Sequence, residues 1–255
     1  MSSPAVVELR QYTLRPGQRD RLVELFEREF VEPQEALGMG LPGQFRDLDD
    51  PDRFVWLRSF PDMTTRAAAL AAFYDGPVWR AHREAANATM LDSDDVLLLR
   101  PTQAFVLEGM SRPKPGERRP AGRLTATICP ASPAGLAALA RTFNEQVRPV
   151  LERLGARVLA QFVTEPAPNT FPRLPVREGE SVFVWFAAFA DAHAQAWYEA
   201  AAAADPVIVA WTRRLDALPE TLRLAPTPGS LLRGASSSIT SPTTSSPTTS
   251  PREHA

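Results

Sequence analysis

Two stretches of this chain repeat one another. Arg53–Phe60 reads RFVWLRSF and Ser181–Phe189 reads SVFVWFAAF. In each, Phe-Val-Trp leads to a closing Phe, a short break follows, and Asp62 or Asp191 opens a helical stretch. An Asp-containing joint comes next (Asp75-Gly76-Pro77; Asp205-Pro206), then a helix carrying Trp79 or Trp211. Each copy ends in a strand finishing Pro-Thr, at Pro101-Thr102 and Pro226-Thr227. A unit of about a hundred residues present twice predicts two similar subdomains packed as a pseudo-dimer.

Composition narrows the function classes. Of 255 residues, 44% are hydrophobic and 23% charged, the balance of a soluble globular protein. A net charge of -2 makes no electrostatic case for nucleic acid or an anionic membrane. No apolar run is long enough to span a bilayer. The N-terminal MSSPAVVELRQYTL enters a strand almost at once, with no visible targeting signal, so a cytoplasmic location is expected. Cys129 is the only cysteine, which excludes an intramolecular disulfide and a multi-thiolate metal site and fits a small buried hydrophobe.

Along the chain, Val6–Leu14 alternates, with Val7 and Leu9 on one face and Glu8, Arg10 and Tyr12 on the other, the period of a strand. Gln18–Leu37 carries Leu22, Leu25, Phe26 and Phe30 at helical spacing, and Pro33 is expected to end or kink that helix. Leu41–Leu48 and Arg53–Phe60 read as strands around the turn Asp49-Asp50-Pro51-Asp52. Asp62 can cap a helix running to about Tyr74, a second helical stretch holds Trp79 and His82, and Val96–Arg100 is the last strand. The order is β-α-β-β-α-β. The segment 111–121, rich in Pro and Arg, reads as a linker. The second copy, residues 122–228, has strands at Arg123–Cys129, Arg157–Thr164, Val182–Phe189 and Thr221–Thr227, with its long helix at Leu136–Leu154. A longer proline-rich loop, Glu165–Glu178, replaces the tight acidic turn. From 229 on, a tail rich in Ser, Thr and Pro has too little apolar content to order itself.

The first copy resembles the NIPSNAP domain over nearly its whole length. The resemblance rests on Glu8-Leu9-Arg10-x-Tyr12, Pro33…Gly38, Gly43-x-Phe45, the Phe54–Phe60 strand, Arg66, and Asp75-x-Pro77-x-Trp79 followed by Leu98…Pro101-Thr102. The second copy resembles it in outline. This implies an α+β fold of the dimeric α/β-barrel superfamily. Two ferredoxin-like sheets would face each other around a cavity, both supplied by one chain. Relatives in the wider superfamily include small monooxygenases, haem-degrading and haem-using enzymes, and isomerases, while the NIPSNAP family has no agreed reaction. Fold analogy is therefore a weak warrant for chemistry.

The rows Val7/Leu9 and Val55/Leu57 are expected to face the helices. Glu8/Arg10/Tyr12 and Phe54/Trp56/Arg58/Phe60 would then point into the barrel. Because the first and third strands neighbour each other in this fold, Arg10, Tyr12, Trp56 and Arg58 should cluster on one inner wall. Two guanidiniums and a phenol beside an indole suit an anionic or carboxylate-bearing aromatic ligand. Glu8, Phe45 and, from the second copy, Trp185 complete the expected ligand contacts, with Tyr12 as proton donor. The alternative is that Glu8 pairs one arginine and the other reaches solvent. In the second copy Arg123, Thr125 and Thr127 are read in place of Glu8, Arg10 and Tyr12, and Ala187 in place of Arg58, so that one pocket, if there is one, is expected in the first repeat. Either His82 or His193 could be an axial haem ligand; surface or packing roles are the alternative. No HExxH, Cys/His cluster, phosphate loop or nucleophile elbow is present.

Two functions remain open. One is a barrel that binds or transforms a small hydrophobic or acidic molecule. If it is catalytic, it would work as a monooxygenase- or isomerase-like enzyme that needs no cofactor or metal. The other is a non-enzymatic interaction protein with a filled barrel. Self-association through outer helices or sheet edges stays open.

Overall fold

In a computed structural model, which describes residues 4–105, 112 and 122–233, strand β1 (Val6–Leu14) is buried on both faces along nearly its whole length. A strand in that position needs a cover on each side. Helices cover one face here and the remaining strands cover the other.

The first repeat continues through α1 (Arg19–Leu25), a π-helical turn (Phe26–Phe30), α2 (Val31–Ala36), β2 (Gly40–Asp47), β3 (Arg53–Phe60), α3 (Met63–Tyr74), α4 (Pro77–Asn87) and β4 (Met90–Pro101). The second repeats the plan with β5 (Arg123–Pro130), α5 (Leu136–Thr142), a π turn (Phe143–Val147), α6 (Arg148–Arg153), β6 (Arg157–Thr164), β7 (Val182–Phe189), α7 (Ala192–Ala204), α8 (Pro206–Thr212) and β8 (Glu220–Pro226). The same local devices recur. Asp62 accepts from the Thr65 N–H at 2.7 Å and Asp191 from the Ala194 N–H at 2.9 Å, each satisfying an open donor at a helix start. Pro77 and Pro206 occupy first helical positions, where a missing N–H costs nothing. Pro33 does not end its helix. A π turn lies just ahead of Pro33 and of Pro149, and widening there relieves the clash of the proline ring with the preceding turn.

The eight strands close in the order β1-β3-β2-β8-β5-β7-β6-β4. Each repeat supplies four neighbouring strands. The repeats join where β2 meets β8 (Phe45 opposite Pro226) and where β4 meets β6 (Leu99 opposite Thr164). This is the dimeric α/β barrel held within one chain. Among the described residues no helix is long and apolar enough to cross a membrane.

The barrel is filled. Val7, Leu9, Phe45, Val55, Leu57, Leu99, Leu124, Phe162, Val184 and Phe186 form one buried cluster drawn from both repeats. The expected orientation is therefore reversed: the aliphatic rows enter the barrel, and the row Glu8/Arg10/Tyr12 with Phe54/Trp56/Phe60 lies beneath the helices. The reason is the closed interior, which has no water to satisfy charge, so it takes the uncharged rows; Gln11, on the face of Val7 and Leu9, is buried there with its amide unpartnered among the described residues. Packing also continues past the predicted start of the tail. Leu232 is buried and its N–H donates to Pro42 O at 2.8 Å, while Gln44 N–H donates to Ser230 Oγ at 3.2 Å. The linker, Arg112 apart, and residues 234–255 lie outside the described residues.

Candidate functional site

Each repeat has a layer between its sheet and its helices, and the two layers differ. In the first, register places Glu8 opposite Arg58 and Arg10 opposite Trp56. Glu8 receives three arginines: Arg10 Nη1 at 2.9 Å, Arg58 Nη2 at 2.7 Å and Arg66 Nε at 2.7 Å, all essentially unexposed. Burial pushes the Glu8 carboxyl up, but Arg58, Arg10 and Arg66 together outweigh it and hold it at about 2. Burial pulls Arg66 down, and Glu8 offsets that only in part.

Aromatic rings wall the cluster. The Arg58 guanidinium lies 5.1 Å from the Trp56 ring and that of Arg10 5.5 Å from the rings of both Trp56 and Tyr12. Arg10 Nε donates to the Tyr12 oxygen at 3.1 Å, leaving the phenol proton free to point elsewhere. Burial raises the Tyr12 pKa, against the pull of Arg10, so the phenol stays protonated at neutral pH. Arg58 Nη1 donates to Gln34 Oε1 at 3.2 Å. Beside these groups is a cavity of about 30 Å³ lined by Tyr12, Phe26, Gln34, Trp56, Tyr74 and Trp79 among others, room for a water or two.

The charge does not balance. Three guanidiniums against one carboxylate leave an excess of +2 in the buried cluster. Among the described residues Arg66 Nη1 finds only neutral oxygens, Asn169 Oδ1 at 3.0 Å and Thr170 Oγ1 at 3.3 Å, and Arg66 Nη2 and Trp56 Nε1 have no partner. Those two neutral oxygens come from the other repeat. The long β6–β7 loop, residues 165–181, crosses onto this layer. Phe171 stacks on Tyr74 with ring centroids 6.0 Å apart, and Arg173 pairs with Asp75 at 2.8 Å.

The second layer has lost the cluster as a set. Pairing sets Thr125 opposite Ala187 and Thr127 opposite Trp185. With Trp185 matching Trp56, Thr125, Thr127 and Cys129 stand where Glu8, Arg10 and Tyr12 stand, two residues on from the alignment drawn from sequence. Ala187 replaces Arg58. Counting from the capping aspartates, Gln195 replaces Arg66. The loop that would cover this layer, residues 48–52, is short. A cleft of about 410 Å³ results, with Thr125, Thr127, Trp185, Tyr198 and Trp211 in its wall.

Of the residues picked from sequence, Glu8, Arg10, Tyr12, Trp56 and Arg58 meet in the first layer. Phe45 does not join them; it lies inside the barrel, 6.2 Å from Phe186. Trp185 belongs to the second layer. Arg66, Gln34, Asn169 and Thr170 were missed as site residues. Arg66 could have been found, since it shares the buried stripe of α3 with Ala69, Leu70 and Phe73, where a charge needs a partner. His82 pairs with Glu29 at 3.3 Å and His193 is exposed, so neither reaches the arginine cluster.

These features define an intramolecular dimeric α/β-barrel protein with one charged, covered sheet–helix layer and one neutral, open one. Residues 7–104, its first repeat, match the model of the NIPSNAP family. No curated protein matches the sequence significantly. Over the whole chain the fold is similar to that of an anthrone oxidase-like protein (TM-score 0.60, 14% identity, covering 92% of this chain and 98% of that one). It is also similar to that of a candidate monooxygenase from Lactobacillus acidophilus (0.54, 11%, 88% and 94%) and another from Fusobacterium nucleatum (0.54, 8%, 89% and 94%). At these identities the likeness is one of fold.

Proposed function

We propose that the chain binds a small carboxylic acid with an aromatic or apolar body in the sheet–helix layer of its first repeat. The observation that carries this reading is the buried excess of two positive charges around Glu8, with Nη1 of Arg66, whose Nε pairs with Glu8, held by neutral oxygens from loop 165–181. A ligand carboxylate taking the place of Asn169 and Thr170 would form a two-pronged bond with Arg66 Nη1 and Nη2 and reduce the excess charge. Its body would lie against Tyr12, Trp56 and Tyr74. The present cavity is too small for that body, so entry requires loop 165–181 to lift. If the ligand is transformed, as in an oxygenase or isomerase that needs no cofactor, the protonated Tyr12 is the proton donor.

The test is calorimetric titration of the full chain with 2-naphthoate, with neutral 2-naphthamide as control. The acid should bind at one site per chain and the amide at least tenfold more weakly. Arg66→Met, which also lowers the internal charge, should remove the preference. Equal binding of acid and amide would end the proposal. The filled barrel supports the second reading, an interaction protein, only for the barrel itself; failure of both compounds to bind would favour it.

A further inference from the structure

We infer that the open layer of the second repeat is a separate binding site for a neutral, mainly apolar small molecule that carries a hydrogen-bond acceptor. The argument begins with what the duplication removed. All four charged members of the first cluster have neutral counterparts: Thr125, Thr127, Ala187 and Gln195. Three arginine side chains have thus become a threonine, an alanine and a glutamine, and the short loop 48–52 leaves the space uncovered. The cleft of about 410 Å³ falls within the usual range for small-molecule sites, ~300–1,000 Å³.

Its lining dictates the ligand. Trp185, Trp211 and Tyr198, with Val147, Leu151 and Ile208, supply the apolar part of the walls. Three polar groups in the wall are spare. Thr125, Trp185 and Trp211 are only 4%, 5% and 5% exposed; among the described residues the Trp211 indole N–H is buried without a hydrogen-bond partner, and neither the Thr125 hydroxyl nor the Trp185 indole N–H has one. Each can donate to a carbonyl or ether oxygen, while Thr127 already accepts from Thr221 at 3.2 Å. An anionic ligand is disfavoured because the rim sets one guanidinium against two carboxylates: Arg223 pairs with Asp49, and with Glu199 at 3.6 Å. Burial, then Glu199, push the Tyr198 phenol up to about 12, so that wall is neutral too. One chain therefore carries a covered site for an acid and an open site for a neutral molecule, and the second stands independently of the first.

The experiment uses Prodan, a neutral aromatic ketone whose emission shifts to the blue in apolar surroundings, titrated into the full chain. Saturable binding of one dye per chain is expected. Ala202→Trp places an indole into the cleft from a half-exposed position and should weaken binding at least tenfold. The milder Thr125→Val should weaken it severalfold and Thr127→Val less. Saturating 2-naphthoate should not displace the dye. No saturable binding, or binding that Ala202→Trp leaves unchanged in a protein with a native circular dichroism spectrum, would overturn the inference.

Discussion

Glu8 Oε2 lies 2.7 Å from Nη2 of Arg58, its partner across the β1–β3 ladder, with neither side chain exposed. Among the described residues this carboxylate is the sole counter-charge of the three buried guanidiniums, so its removal should be costly. Glu8→Gln is expected to destabilise the protein by ~3–5 kcal/mol, because three guanidiniums would be left buried without an anion. Urea unfolding at neutral pH measures this, and a loss under about 1 kcal/mol, the size of a surface pair, would contradict it.

The same carboxylate sets an acid limit. Its folded pKa, about 2, lies below the ordinary 4.5, so the stabilisation is fully present above pH 4.5 and is lost as pH falls toward 2. The shift corresponds to roughly 3 kcal/mol. Urea midpoints measured from pH 5 to pH 2 should fall steeply in the parent, and the Glu8→Gln variant should lack that part of the slope. Parallel curves would show that other carboxylates govern acid unfolding.

Loop 165–181 is expected to gate the first layer. Phe171 is buried against Tyr74 and anchors it. Phe171→Ala should raise the association rate of 2-naphthoate roughly tenfold, equivalent to about 1.4 kcal/mol of lost closing energy. Stopped-flow tryptophan fluorescence reads the rate directly. An unchanged rate would mean that the loop is not the entrance.

The barrel interior should tolerate no added volume. A Cβ on Gly43 would come within 2.3 Å of Phe45 Cζ, and that ring is wholly enclosed beside Phe186. Gly43→Ala should therefore cost ~1–3 kcal/mol, visible as a lower melting temperature. A neutral substitution would reveal unfilled space in the barrel.

Cys129 should be inert in the native protein. It is fully buried, and burial pushes its thiol up to about 12. Iodoacetamide at pH 8 should label it only at the rate of unfolding; rapid labelling would place it at the open cleft.

Much of this was legible in the chain. The duplicated Phe-Val-Trp strands and their capping aspartates predicted two βαββαβ repeats, and the limits of β1, β3, β6 and β7 matched. Which face of β1 enters the barrel was not legible. Alternation separates Val7/Leu9 from Glu8/Arg10/Tyr12 but cannot say which side is the drier. Closure decided it, since a ring of eight strands has no room for unpaired charge, while the helix layer could collect Glu8 with all three arginines. Equivalence between the copies was also misjudged by two residues, because Thr125 and Thr127 resemble neither Glu8 nor Arg10, and only pairing with β7 fixes their place. The long loop was visible in the sequence. That it would cross to the other repeat and meet Arg66 depends on a contact between Asn169 and a residue 103 positions away.

The most direct test of the central claim is the position of the ligand carboxylate in a crystal of the full chain grown with 2-naphthoate. The account predicts both oxygens within about 3 Å of Arg66 Nη1 and Nη2, a hydrogen-bonding distance, with Asn169 and Thr170 displaced and the ring against Trp56 and Tyr74. A 2-naphthoate found instead in the second repeat beside Trp185, with Asn169 still bonded to Arg66, would contradict it.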